Sequence, residues 1–136
     1  MIVYVSGVFD LFHYGHMILL KKIKKKFKDC ELIVGVHSDK DCESYKRVPI
    51  LTMKERIKYI EEFGIANKII DKAPLIETLE FYNKYCIEKV IHAHPIEEHY
   101  KYCKMYKDAI DNNMFERIDY TPSISTTDII NRIKKM

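Results

Sequence analysis

Two histidines three residues apart, His13 and His16, stand in the segment Gly7-Val8-Phe9-Asp10-Leu11-Phe12-His13-Tyr14-Gly15-His16. An apolar, β-rich run (Met1 to Val5) precedes it and a helical pattern (Met17 to Phe27) follows. A strand, a glycine-bearing turn and a helix start make a ready site for a phosphate group. Backbone N–H groups point outward at a helix N-terminus, and the helix dipole favours negative charge there. Histidines at this spacing share one face of the first turn, so both can donate to one phosphate. A second segment, Ile124-Ser125-Thr126-Thr127-Asp128, offers a helix start rich in hydroxyls. Ser125 with Asp128 is also the spacing of a simple cap, which accounts for one hydroxyl and not for three in a row. Together the two segments imply a site for a nucleoside triphosphate.

Those residues need a scaffold, and the hydrophobic pattern supplies one. Glu31 to His37 is a nearly continuous apolar strand, as expected of a sheet buried on both faces. Ser38 to Pro49 reads as a polar loop. Thr52 caps a predicted helix over Met53 to Phe63, Glu55 completes a capping box, and Gly64 ends it. Short strands are predicted at Lys68 to Ile70, Lys89 to His92 and Glu116 to Tyr120, and helices at Glu77 to Tyr85, Tyr100 to Asn112 and Ser125 to Lys135. Strands alternating with helices predict an α/β fold, a Rossmann-like arrangement of three layers around a parallel sheet. Ligands of such folds bind at the carboxyl ends of the strands. Gly7 to His16, Ser38 and Asp39, His92, and Thr121 to Thr127 all fall at those ends.

Length and composition narrow the class. The 136 residues suit a single domain over 1–136. A hydrophobic content of 47% with 32% charged residues excludes a disordered chain. A net charge of +3 is too small to argue for nucleic acid. The basic run Lys21 to Lys26 reads as a solvated helix face, and no RNA-binding signature accompanies it. Cys30, Cys42, Cys86 and Cys103 form no C-x-x-C pair, and no signal peptide is visible. Reduced thiols and a cytoplasmic location are the plain expectation. No apolar run approaches the roughly 20 residues of a membrane span, and the sequence stops at Met136 without a membrane-binding extension, so stable membrane insertion is not expected.

Asp10-x-x-His13-x-Gly15-His16 resembles the H-x-G-H signature of the nucleotidyltransferase superfamily. The form Gly-x-Phe-Asp-Leu-Phe-His is similar to the cytidylyltransferases that activate phosphoethanolamine, phosphocholine or glycerol 3-phosphate. The resemblance extends over most of the chain: Ile33 to Asp39, Tyr45-Lys46-Arg47, Pro49 to Arg56, Ala73-Pro74, Thr78-Leu79-Glu80, and Ile124 to Ile130. It implies a nucleotidyltransferase-type fold and attack by a substrate phosphate on the α-phosphorus of CTP, with release of pyrophosphate. It also implies Mg²⁺ on the nucleotide, a phospho-alcohol acceptor and a homodimer. No enzyme nucleophile is needed, so catalysis would rest on positioning and charge stabilisation.

In that scheme His13, His16 and Lys46 are the catalytic candidates. His13 and His16 bind the triphosphate, and Lys46 bridges the two phosphates that must approach each other. Gly7, Val8, Phe9, Asp10, Gly15, Arg56, His92, Ser125, Thr126 and Thr127 are the nucleotide-binding candidates. Asp39, Lys46 and Tyr100 are the acceptor-binding candidates. Asp10 orients the turn or simply caps the helix entry. Arg56 meets phosphate or a carboxylate on its own helix.

Three departures from the family pattern stand out. Tyr120 occupies the place of a phosphate-binding arginine, with Arg117 nearby. His92 is followed by Ala93-His94-Pro95 instead of aspartates. Leu75 replaces a tryptophan of the choline enzymes, which weakens an aromatic cage for a quaternary ammonium and ranks phosphoethanolamine above phosphocholine. Glu97 or Glu98 is placed to receive an ammonium. His92, His94, His99 and Cys103 raise a metal reading, but no standard zinc spacing is met. The alternative is that His94 and His99 lie on a mobile loop over the acceptor pocket.

Overall fold

The computed structural model describes residues 1–120 and 124–136. Among the described residues, five strands form one parallel sheet in the order β3-β2-β1-β4-β5. They are β1 (Ile2–Gly7), β2 (Glu31–Val36), β3 (Lys68–Ile70), β4 (Lys89–Ala93) and β5 (Phe115–Ile118). The helices are α1 (Tyr14–Lys26), α2 (Asp39–Tyr45), α3 (Met53–Phe63), α4 (Leu79–Lys84), α5 (Lys107–Asp111) and α6 (Thr126–Lys134), with a 3-10 helix at Ile96–Lys101. The expected α/β fold is therefore present.

The strand order reverses between β1 and β4, which are direct neighbours. Such a switch point leaves a crevice at the carboxyl ends of those two strands. The loop after β1 and His92 on β4 both sit there.

Side-chain alternation builds a core on each face of the sheet. Val3, Val5, Leu32 and Val34 pack with Leu20 and Ile23 of α1 and Ile60 of α3. Tyr4, Ile33, Ile70 and Val90 pack with Tyr82 of α4 and Ala109 of α5. Coverage on both faces explains why β2 reads as an unbroken apolar run. Gly35 is required by close approach, since a Cβ there would run into the Tyr4 hydroxyl oxygen.

The predicted capping box of α3 is present: Thr52 Oγ1 accepts from the Glu55 N–H and Glu55 accepts from the Thr52 N–H. Gly64 ends that helix in the left-handed region, at φ 78°.

Two sequence-based expectations need correction. The segment 38–49 is not all loop, because α2 occupies Asp39–Tyr45 with the Ser38 side chain accepting from the Asp41 N–H. Only Cys42 of this helix is buried, so no apolar periodicity announced it. The helix expected over 100–112 is broken into the 3-10 helix and the short α5. Tyr102 and Tyr106 instead pack their rings against His92, and tertiary contact overrides local propensity. Smaller shifts also occur: α1 begins at Tyr14, and α4 begins at Leu79 with Thr78 as its cap. The part of the C-terminal segment formed by Thr121, Pro122 and Ser123 lies outside the described residues.

Candidate active site

The loop from β1 to α1 is folded tightly. Phe9 and Leu11 take left-handed backbone conformations, at φ 55° and 56°. A non-glycine residue there costs of order 1–3 kcal/mol and persists only where the surroundings enforce it. Asp10 supplies that enforcement. It is buried, and its two carboxylate oxygens accept from the Ile50 and Leu51 N–H groups at 2.7 and 2.9 Å. Asp10 is thus the clamp between this loop and the residues leading into α3. It does not cap the helix entry.

The cap is His13. Its Nδ1 accepts from the Gly15 N–H at 3.1 Å, and His16 Nδ1 accepts from the His13 N–H at 3.1 Å. The two histidines thereby form a reciprocal capping box at the start of α1. This was missed in the sequence because such boxes are normally written with hydroxyl and carboxylate residues. The i, i+3 spacing was the available signal.

The box fixes both tautomers. A ring nitrogen that accepts a backbone N–H carries no proton, so the proton of each neutral imidazole sits on Nε2. The rings stack at 3.9 Å between centroids. Phe12 stacks on His16 at 5.7 Å and Phe9 meets it edge-on at 5.4 Å. Burial, then the neighbouring His13 and Lys46, push the His16 pKa down to about 3. Burial also lowers that of His13. Both side chains therefore act as neutral N–H donors near pH 7.

The start of α6 closes on this pair. His13 Nε2 lies 3.2 Å from Thr126 Oγ1, and the Thr126 hydroxyl donates to the Asp10 carbonyl oxygen at 3.1 Å. Ser125 and Asp128 cap α6 reciprocally, so the Ser125 hydroxyl is already engaged. Gly15 permits the approach: a Cβ there would lie 2.9 Å from the Ile124 carbonyl oxygen and 3.0 Å from the His13 ring.

A cleft of about 480 Å³ opens between these elements. Gly7, Val8, Phe9, Asp10, His13, Gly15 and His16 line one side. Ser125, Thr126 and Thr127 line another, and Lys46 and His92 complete it. Lys46 stands at the end of α2 with its pKa lowered, by surrounding protein first and by Arg47 next. Arg47 also lines the cleft and was not singled out from sequence.

Three candidates lie elsewhere. Arg56 is fully buried, and its guanidinium donates to the Leu51 and Val8 carbonyl oxygens and to Asp39 at 3.1, 2.8 and 2.6 Å. It holds the loop after β1 against α2 and α3, and its carboxylate partner is on α2 rather than on its own helix. Asp39 is engaged by that arginine and does not line the cleft. Tyr100 is 74% exposed on the 3-10 helix, away from the cleft.

Two of the three departures from the family pattern reach the cleft, and Leu75 is not among the residues that line it. Tyr120 and Ala93 both line it. Arg117 does not take the place of the missing cation, since it donates to the His94 carbonyl oxygen and pairs with Asp119. His94 is buried at 1% exposure, not carried on a mobile loop. Its ring nitrogens meet those of His92 and His99. Among the described residues no group of three His, Cys, Asp or Glu side chains is arranged to hold a metal.

Behind the floor of the cleft, Ser6 Oγ donates to Glu77 at 2.6 Å and the Tyr82 hydroxyl donates to the same carboxyl group at 2.8 Å. Burial raises the Glu77 pKa to about 7. Glu77 was read from sequence only as the first residue of a helix.

The family described as cytidylyltransferase-like matches residues 4–132. The chain belongs to the cytidylyltransferase-like family. It is similar to choline-phosphate cytidylyltransferase of Saccharomyces cerevisiae, at 35% identity over 96% of this chain and 31% of the relative. It is also similar to ethanolamine-phosphate cytidylyltransferase of Mus musculus, at 28% identity over 96% of this chain and 32% of the relative. The chain thus spans about a third of the length of these curated relatives. Among solved structures, the lipopolysaccharide core biosynthesis protein of Thermoplasma volcanium superposes with a TM-score of 0.67 at 21% identity, covering 91% of this chain and 98% of that one. That likeness bears on the fold alone, which is of the nucleotidyltransferase type. No helix among the described residues is long and apolar enough to cross a membrane.

Proposed function

We propose that this chain transfers CMP from CTP to a phospho-alcohol, phosphoethanolamine first, giving CDP-ethanolamine and pyrophosphate for phospholipid synthesis. The observation that carries the reading is the pair of neutral Nε2–H donors held by the His13–His16 capping box, facing Thr126 and Lys46 across one cleft. An oxygen of the acceptor phosphate attacks the α-phosphorus of CTP. A new P–O bond forms, the bond to the bridging oxygen of the β-phosphate breaks, and pyrophosphate leaves with that electron pair.

His13 and His16 donate to the phosphate oxygens on which charge accumulates. The N-terminus of α6, with Thr127, receives the β- and γ-phosphates. Lys46 stands between the two anions. Two unit charges brought to 4 Å repel by about 4 kcal/mol at an effective dielectric of 20, so a cation there offsets the main cost of approach. The substrate is CTP with Mg²⁺. The nearby carboxylates of Asp10, Asp119 and Asp128 are already bonded to protein groups. That donor set suits Mg²⁺ held chiefly by phosphate oxygens and water.

Leu75 favours phosphoethanolamine, whereas the relatives named above include choline enzymes at 35% identity. Phosphocholine is therefore the second reading, and glycerol 3-phosphate the third. A homodimer and a cytoplasmic location belong to the same proposal. Pyrophosphate release is measured with CTP and Mg²⁺ against the three acceptors, with ATP as control donor. Release with CTP and phosphoethanolamine is expected. Release with another acceptor alone reassigns the substrate. CTP binding with no release from any acceptor overturns the enzyme reading and leaves a nucleotide-binding protein with the same fold.

A further inference from the structure

Three imidazoles stand in a row behind the cleft wall. His92 Nδ1 lies 2.8 Å from His94 Nδ1, and His94 Nε2 lies 2.9 Å from His99 Nδ1. The rings are packed in place. The Tyr102 ring sits 4.4 Å from His92 and 4.6 Å from His94, Tyr106 sits 5.3 Å from His92, and Phe115 sits 5.8 Å from His99. The His94 backbone is held too: its N–H donates to the Ile118 carbonyl oxygen and its carbonyl accepts from Arg117.

A neutral imidazole has one N–H and one lone pair. Two ring-to-ring hydrogen bonds in series then have only two consistent arrangements. In the first, His99 Nδ1–H donates to His94 Nε2, His94 Nδ1–H donates to His92 Nδ1, and the His92 proton is on Nε2. In the second, every bond is reversed and His92 Nε2 is a bare lone pair. The choice decides what His92 offers to the cleft it lines.

The cleft selects the first arrangement. It already presents two imidazole N–H donors and the cations Lys46 and Arg47. A ligand matched to it is rich in acceptor oxygens, which a lone pair on His92 would repel. We propose that His94, backed by His99, is a positioning residue that holds His92 as the Nε2–H tautomer, so that His92 donates to an anionic oxygen of the bound phospho-substrates. This rests on the reading of the cleft as a phosphate-transfer site. Burial keeps His92 neutral, with its pKa pushed down to about 3, and lowers that of His94. Lys46 and His37 face His92, while Arg117 and Glu98 face His94. His92 therefore donates through its tautomer rather than by acquiring charge.

The test combines a spectroscopic and a kinetic arm. Nitrogen NMR of the full chain labelled with ¹⁵N-histidine reports the tautomer of each ring. The expected spectrum has His92 protonated on Nε2 in the wild type and a mixture of tautomers in His94→Phe. Kinetically, His94→Phe lowers kcat/KM about 10- to 100-fold, the usual cost of losing a partner that orients a functional imidazole. His94→Asn, which can still donate to His92 Nδ1, stays within about threefold of wild type, a difference of under 1 kcal/mol. A His92 protonated on Nδ1 in the wild type overturns the proposal, as does a His94→Phe protein with unchanged tautomer and unchanged kcat/KM. If His94→Phe does not fold, the wild-type spectrum and His94→Asn still decide. If the wild type releases no pyrophosphate, the functional reading has failed and the spectrum alone judges the role of His94.

Discussion

Acidification should unfold this protein through its own site. The usual histidine pKa is 6.5, yet burial pushes His16 and His92 down to about 3 and His37 to about 4. A depressed histidine pKa means that the unfolded chain binds the proton first. Each of these groups therefore stabilises the fold fully above pH 6.5 and loses that contribution as pH falls toward its folded value. Between pH 6.5 and 4.5 each costs a little over 2 kcal/mol, about 7 kcal/mol for the three. Glu77 works in the opposite direction. Its folded pKa is raised to about 7 from 4.5, so the folded state holds its proton more tightly and gains about 2 kcal/mol over the same interval.

The net loss is about 5 kcal/mol, a large share of a normal domain stability. For a chain of this size that corresponds to a fall of about 15–20 °C in Tm. Thermal unfolding followed by circular dichroism from pH 7 to 4.5 reads it directly. His37→Asn removes one of the three groups while leaving an N–H toward the Tyr45 hydroxyl, which lies 2.9 Å from His37 Nδ1. Its Tm should fall with pH about two-fifths less steeply, because about 2 of the net 5 kcal/mol is gone. A Tm that moves less than about 5 °C over this range refutes the reasoning, since it would correspond to little more than 1 kcal/mol. So does a folded-state imidazole of His37 that titrates near pH 6.5.

Three further outcomes are expected. Arg56→Ala leaves Asp39 and the part-buried carbonyl oxygens of Val8 and Leu51 without their donor, and should destabilise by about 2–4 kcal/mol in urea titrations; a loss below 1 kcal/mol would show that the buried guanidinium is dispensable. His16→Ala removes one preorganised donor and should lower kcat at least 100-fold, with CTP binding and circular dichroism little changed; near-wild-type turnover would remove His16 from the mechanism. Gly15→Ala puts a methyl group 2.9 Å from the Ile124 carbonyl oxygen and 3.0 Å from the His13 ring, so it should cost about 1–3 kcal/mol and at least tenfold in kcat, and an unaffected Tm and kcat would mean that α6 does not sit so close to α1.

Much of the fold was legible because its signals are local. β2 declared itself as an apolar run covered on both faces, and α3 by Thr52, Glu55 and Gly64 at its ends. The candidates on the carboxyl edge of the sheet could be gathered from topology alone, and the loop after β1, His92 and the start of α6 do line one cleft. The partners that could not be read from sequence are the distant ones. Asp10 binds amides 40 and 41 residues away, and Arg56 reaches Val8 across 48 residues. Neither side chain carries a local mark of such a role. An arginine near a presumed phosphate site looks like a ligand until its donors are seen to be spent. Helix α2 escaped because it buries only Cys42, and the break near Tyr102 because ring packing on His92 outweighs helix propensity.

Charge was also a poor guide to the donors in this cleft. The sequence marks two histidines as donors to a phosphate but does not say whether they carry charge. The backbone N–H groups of His13 and Gly15 occupy one nitrogen of each ring and burial removes the option of a second proton, so the remaining N–H of His13 points at Thr126 Oγ1 and that of His16 is left for the cleft. Neutral donors held in place bind developing charge without themselves needing counterions, and the positive charge lining the cleft comes from Lys22, Lys46 and Arg47. The row from His92 to His99 applies the same device with a third imidazole in place of the backbone. The burial that keeps these rings neutral also makes the fold acid-sensitive, because every such ring is a proton acceptor that only the unfolded chain can use. Activity should therefore be lost together with the fold, as pH falls from about 6.5 toward the folded-state values of these rings.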